Sequence, residues 1–302
     1  MQTRFLGVLI LLGAVWGASF LLIKIGVAEM PPMTLVALRL VISAIVLLGV
    51  LYGRGMRLPT RPRAWVDLFL LGAVGLVLPY LLITWSEQYM QSGMAAILNA
   101  TTPLFAVLLT YLWTREEQLS GVKALGVLVG FVGVVIAVGI DSVSLTDGGA
   151  LPQLAVLLAA LCYAIAGIHG RRAFRGVPAL VPATGQLLAG AILITPAALL
   201  TDGIPSPLPS PLALGAVLAL AVVGTSFAYV LLYWLMARIG ATRTSMVTYL
   251  LPPFALVYGA LFLRERITVE TLIGLALVIV GILLANGALR PGRLQQQAVE
   301  RG

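Results

Sequence analysis

A chain of 302 residues that is 60% hydrophobic and only 10% charged carries more apolar side chain than a water-soluble core can enclose. Its 19 Lys and Arg against 11 Asp and Glu sit in short loops between apolar runs and form no single face or arm, which argues against a nucleic-acid partner. One Cys (Cys162) and one His (His169) supply neither a disulfide framework nor the usual metal-ligand set, so no cofactor is expected.

Apolar stretches of about 20 residues, each long enough to cross about 30 Å of hydrocarbon, run over 5–27, 33–52, 64–86, 93–113 and 122–140, and then over 150–170, 179–200, 211–236, 240–263 and 269–289. Helices are the form that satisfies backbone polar groups inside lipid, and the alternation of a barrel strand is absent. The first run follows Arg4 but is too long for a signal peptide and lacks a small-residue cleavage site, so it reads as a retained span.

With ten spans both termini lie on one side. Fifteen Lys and Arg then fall at the ends shared with the termini, among them Arg54, Arg57, Arg61, Arg63, Arg171, Arg172 and Arg175, against Arg264 and Arg266 at the other ends. The positive-inside rule makes the first set cytoplasmic. The expected location is a cell (inner or plasma) membrane, multi-pass.

The chain is also a duplication. Pro103, Phe105, Ala106, Leu112, Arg115 and Glu116 return 149 places later as Pro252, Phe254, Ala255, Leu261, Arg264 and Glu265, and the same register joins Tyr80 to Tyr229 and Trp85 to Trp234. An odd number of spans per copy inserts the copies in opposite senses. The expected fold is all-α and integral to the membrane: ten transmembrane helices as two inverted five-helix repeats, residues 1–141 and 150–289, with a linker at 142–149 and a polar cytoplasmic tail at 290–302.

Pro103 has no amide hydrogen, which leaves the carbonyl of Asn99 without its helical partner; Pro252 and Pro253 do the same to Thr248 and Tyr249. Two equivalent helices are thus expected to break or hinge near mid-membrane. Freed carbonyls at that depth persist where protein covers them or where they line a wet cavity, and Asn99, Thr101, Thr102 and Thr248 add hydrogen-bonding side chains at the same level. The plain alternative is a structural proline kink.

Tyr80 with Thr84, and Tyr229 with Tyr233, are four apart, so each pair is expected to share a helical face turned to a pocket for a small amphipathic solute. Trp85 fits an interfacial aromatic belt better. In the first span Trp16, Ser19, Phe20 and Lys24 cluster on one side, and Tyr163, Gly167 and Arg171 answer in the sixth, so these two helices are candidate moving walls. Lys24 could bind a carboxylate, although a lysine near a helix end usually snorkels. Arg39 lies deeper, where a lone charge costs about 2.5 to 3.5 kcal/mol; that argues for a polar partner or an aqueous path, and Gln186 holds its repeat position. His169 reads as a satisfied interfacial residue, and Glu116, Glu117 and Glu265 as helix-end anchors with a gate as the alternative. Gly126, Gly130, Gly133 and Gly139 in the fifth span and Gly274, Gly281 and Gly287 in the tenth suit close packing, within one chain or between two copies of a homodimer.

Ala-Val-Trp-Gly-Ala-Ser-Phe at 14–20, Leu38-Arg39-Leu40, and the doubled Pro-x-Phe-Ala to Glu segment resemble the EamA branch of the drug/metabolite transporter superfamily across nearly the whole chain. The resemblance implies a secondary carrier that exports or exchanges small metabolites by alternating access through a cavity between the repeats. Amino acids are the expected cargo, because the pocket candidates mix aromatic faces with amide and hydroxyl groups. An integral-membrane enzyme acting on lipid-linked substrates, or a non-transporting scaffold, stays as the alternative; no nucleophile-base pair, metal set or phosphate-binding loop speaks for the former.

Overall fold

The structure, a computed structural model, describes residues 3–114, 120–139, 149–203 and 205–287, with Thr114, Ala241 and Thr242 described by backbone alone. Arg115, Glu116 and Glu117, most of the 142–149 linker and the 290–302 tail lie outside the described residues. Among the described residues ten apolar helices form the bundle: α1 Thr3–Val27, α2 Pro32–Gly53, α3 Pro62–Ser86, α4 Ser92–Trp113, α5 Gly121–Val138, α6 Leu151–Ala173, α7 Leu180–Thr201, α8 Pro211–Ile239, α9 Val247–Leu263 and α10 Val269–Ala285. The first eight are long and apolar enough to cross a membrane; α9 and α10 are shorter, 17 residues each. The chain is a multi-pass membrane protein.

Prolines at the first turn, where a missing amide hydrogen costs nothing, start α2, α3, α6 and α8. Glycines in the left-handed region stop α5 at Gly139 and α8 at Gly240, both at φ 79°. The ninth apolar run does not begin its main helix at 240. Residues Ala241–Thr244 form a separate turn, and α9 starts at Val247 after a break at Ser245 and Met246.

The expected pair of proline breaks holds for one helix and not for the other. In α4 the helix is interrupted at Ala100 and Thr101, and the hydroxyls of Thr101 and Thr102 donate to the carbonyls of Leu98 (2.6 Å) and Asn99 (2.8 Å), the latter being the group Pro103 leaves unpaired. In α9 the helix runs unbroken through Pro252 and Pro253. A Cβ on Gly13 of α1 would come 2.6 Å from Leu250 Cβ, and one on Gly17 2.6 Å from Phe254 Cβ and 3.0 Å from Ala255 N, so α1 lies hard against the proline stretch. Protein in place of lipid lets unpaired carbonyls persist without a break.

Wider, π-type turns occur in α3 (Ala73–Val77), α4 (Thr110–Thr114) and α8 (Val222–Phe227) among the described residues, and those of α3 and α8 stand at equivalent places, 149 positions apart. In α8 the hydroxyls of Thr225 and Ser226 donate to the carbonyls five residues back, Leu220 (3.0 Å) and Ala221 (3.0 Å), filling the gap that the extra residue opens.

α5 and α10 pair antiparallel along their glycines within one chain. A Cβ on Gly133 would lie 2.7 Å from the backbone nitrogen of Val278 and 2.8 Å from the carbonyl oxygen of Gly274; Gly126 meets Gly281 and Ala285 in the same way. Backbones touch there, with no room for a side chain between them.

At the end of the bundle where α1, α3, α7 and α9 finish, carboxylates sit on helix starts and tie the two halves of the chain together. Glu29 accepts from the amide (2.6 Å) and hydroxyl (2.7 Å) of Ser210, at the start of α8. Asp202 accepts from the amide (3.0 Å) and hydroxyl (2.9 Å) of Thr34 in α2. Glu265 accepts from the amide (2.8 Å) and hydroxyl (2.9 Å) of Ser92 and the amide of Gly93 (3.2 Å), opening α4. Each uses the unpaired amides and positive potential of a helix N-terminus. Glu265 is aimed by Arg264, whose left-handed φ of 57° is uncommon for a residue with a side chain, and Gly259 leaves the space its carboxylate fills. The hydrogen bonds to Ser210 hold the exposed Glu29 carboxyl below its usual range, the backbone amide contributing most.

Candidate functional site

A cavity of about 660 Å³ lies in the middle of the bundle, with walls from α1, α2, α3, α4, α6, α7, α8 and α9. α5 and α10 contribute nothing to its wall among the described residues. Its lining runs from the exposed Arg171 and Val177 at one end to the buried Ile23 and Ile83 at the other.

Aromatic rings with polar tips dominate its centre. Tyr80 and Tyr163 meet edge to face with centroids 6.5 Å apart, and Tyr229 and Tyr233 do so at 6.0 Å. Trp16, Ser19 and Phe20 of α1 face them across the space, and Asn99, Thr102 and Thr248 come from the interrupted α4 and from α9. The side-chain oxygen of Asn99 is buried and has no hydrogen-bond partner.

Two cations line this wall, the exposed Arg171 and the buried Arg39. Arg39 is 6% exposed, its guanidinium carbon stands 3.7 Å from the centroid of the Tyr80 ring, and its Nε donates to Thr225 Oγ1 at 3.0 Å. Neither partner carries a charge, and no carboxylate bonds to it among the described residues. Thr225 lies in the wide turn of α8, so that turn is what brings a hydroxyl to the guanidinium. Gln186, its repeat counterpart, lines the same cavity.

Three of the residues expected at the site stand elsewhere, the first being Thr101, which is fully buried and donates its hydroxyl to the carbonyl of Leu98. Thr84 is fully buried and off the cavity, because the open face of α3 runs through Tyr80 and Ile83, three apart, and not through Tyr80 and Thr84. Lys24 does not reach the cavity; its ammonium donates to the carbonyls of Glu87 and Met90 (2.7 Å), closing off the turn after α3. His169 has a partner, its Nε2 standing 2.9 Å from Asp67 Oδ1. Trp85 packs on the exposed Tyr89, centroids 5.1 Å apart.

Sequence reasoning passed over Thr225, the carboxylate contacts of Glu29 and Asp202, and the burial of Glu87. For Asp202 and Glu29 a signal was present: one helix carries Thr34 in its first turn and another starts at Pro211 after Ser210, and such starts are ready sites for a carboxylate.

Helices that span a bilayer and surround an internal space with a mostly apolar wall and a few polar groups define the class: a multi-pass membrane protein with a central cavity. The model of the EamA-like transporter family matches the chain twice, over residues 5–139 and 151–287, and the chain belongs to that family, a branch of the drug/metabolite transporter superfamily. It is similar to the uncharacterized transporter YoaV of Bacillus subtilis, 25% identical with 89% of this chain and 92% of the relative covered, and to the uncharacterized inner membrane transporter YedA of Escherichia coli, 26% identical with 93% and 90% covered. Protein PecM of Dickeya dadantii is 24% identical, with 90% and 89% covered. A chain known from a crystal structure shares the fold with a TM-score of 0.68 at 22% identity, over 97% of this chain and 98% of that one.

Proposed function

We propose that this protein is a secondary carrier that moves small, carboxylate-bearing amphipathic metabolites, amino acids above all, through the central cavity by alternating access. Membership in a family of transporters supports small-molecule transport. The observation that carries the substrate class is Arg39: a buried guanidinium held by a neutral hydroxyl and an aromatic face, with N–H groups left for an anion in the cavity. The surrounding tyrosines, with Trp16 and Phe20, suit an apolar or aromatic side chain, and Asn99 stands in the same wall.

The proposed arrangement is two inverted repeats with both termini in the cytoplasm. It is supported by the contacts of α1 and its counterpart α6, which run in opposite senses: Ser86 Oγ donates to Pro152 O (2.9 Å) near the start of α6, at the end where Lys24 closes α1. The open mouth beside Arg171 then faces the cytoplasm, and the carboxylate-tied end faces outward. Cysteines replacing Arg172 and Arg264 in a Cys162→Ser background test this. The first is expected to react with an impermeant reagent only from the cytoplasmic side and the second only from outside; the reverse pattern would overturn the orientation.

Flux in proteoliposomes against a panel of amino acids, their amides and decarboxylated amines tests the substrate class. Transport of the acids with loss of signal for the amines is expected, and equal transport of both would sink the role given to Arg39. In the same assay Asn99→Ala and Tyr80→Phe are expected to lower flux by about tenfold, the equivalent of about 1.4 kcal/mol, with unchanged yield and monodispersity.

A further inference from the structure

Glu87, in the turn that follows α3, is fully buried, and neither of its carboxylate oxygens has a hydrogen-bond partner. It differs in this from Glu29, Asp202 and Glu265 at the same end, which all rest on helix N-termini. Three charged groups face it: Lys24 from α1, Arg39 from α2 and Glu265 from the turn after α9. Lys24 gives its N–H groups to the main-chain carbonyls of Glu87 and Met90, and Arg39 gives its Nε to Thr225, so neither bonds the carboxylate. One turn back on the same face of α3, the Thr84 hydroxyl is also buried and unpartnered.

An ionised carboxylate in such a place carries a desolvation penalty that a distant cation does not remove. Burial pushes Glu87 well above the usual carboxylate range; Lys24 and Arg39 pull the other way and Glu265 adds to the rise. The main-chain oxygens beside it are taken by the Lys24 ammonium, which leaves too few oxygens to hold a metal cation there.

We propose that Glu87 is a proton-binding site that couples the closing of this end of the bundle to proton uptake: the carboxylate takes one proton from the adjoining solution as the end seals and returns it when the end opens. The inference rests on the two-state carrier reading. Atoms and charge balance as one carboxylate and one proton giving one carboxyl group. Sealing against a raised pKa is unhindered below the ordinary carboxylate range and weakens as the pH rises above it. Glu29 works in the opposite direction, since its depressed pKa makes its contact with Ser210 fail as the pH falls.

The test reads conformation, not flux. In a Cys162→Ser background, Ile83→Cys puts a thiol at the blind end of the cavity, and its reaction with an impermeant thiosulfonate is timed from the Glu87 side of proteoliposomes. Between about pH 5 and about pH 9, with reagent reactivity corrected on a free thiol, the rate is expected to rise about tenfold or more, one proton allowing at most tenfold per pH unit. Glu87→Gln, neutral and of the same shape, is expected to stay slow throughout, and Glu87→Asp to keep the dependence. Where Glu87→Gln fails to fold, infrared difference spectra of the parent replace it: a protonated-carboxyl band present at neutral pH is expected, and its absence overturns the proposal. A reactive thiol whose rate ignores pH, follows sodium instead, or keeps its pH dependence in Glu87→Gln overturns the proton site alone. A thiol unreactive from that side at every pH overturns the two-state reading together with the coupling.

Discussion

Arg39→Gln is expected to lower flux of a carboxylate substrate by about 100-fold while the protein stays folded. Removing one partner of a buried charge pair costs about 2–5 kcal/mol, and each 1.4 kcal/mol is a factor of ten. Gln keeps a donor for Thr225, so the wide turn of α8 retains its interior hydrogen bond. Arg39→Lys is expected to restore only part of the flux, since an ammonium neither stacks flat on Tyr80 nor presents two parallel donors to a carboxylate. A decarboxylated analogue, if transported at all, is expected to be indifferent to the substitution. Flux of acid and amine measured side by side in the two variants separates loss of the anion site from general damage.

The second large effect is structural. Gly133→Leu is expected to cost at least about 3 kcal/mol, the upper end for overpacking, because the atoms it meets are the backbone of α10 and cannot turn aside. Loss of monodispersity in detergent and a lower Tm are the readouts. Gly7→Leu and Gly49→Leu, at positions where a Cβ meets nothing within 4 Å, are expected to leave both unchanged. Equal tolerance at all three positions would mean that α5 and α10 do not touch as described.

Eight of the ten expected spans were legible because lipid imposes a simple rule, about 20 apolar residues per crossing, and eight of the described helices obey it; the ninth and tenth runs give shorter helices. The cavity was legible where residues with polar tips recur at repeat positions: Tyr80, Tyr229, Tyr163 and Asn99 all line it. Thr84 was misplaced because both i+3 and i+4 neighbours share a helix face, and only packing selects Ile83 over Thr84. Pro252 and Pro253 were expected to interrupt a helix as Pro103 does, and α9 instead runs through them, a difference the proline motif itself does not show. The wide turns in α3 and α8 leave no compositional trace, so Thr225 as the support of Arg39 could not be read. Glu87 was not singled out, since a sequence shows charge but not whether water reaches it.

The three acids resting on helix starts have a consequence for how the halves part. A lid of interlocked aliphatic side chains would lose its attraction outright on flooding, whereas each of these carboxylates and amides exchanges its protein partner for water at a small net difference. On the carrier reading, the shut and unshut shapes therefore differ by little in free energy, and the modest preference of a cargo for one of them is enough to choose which is populated.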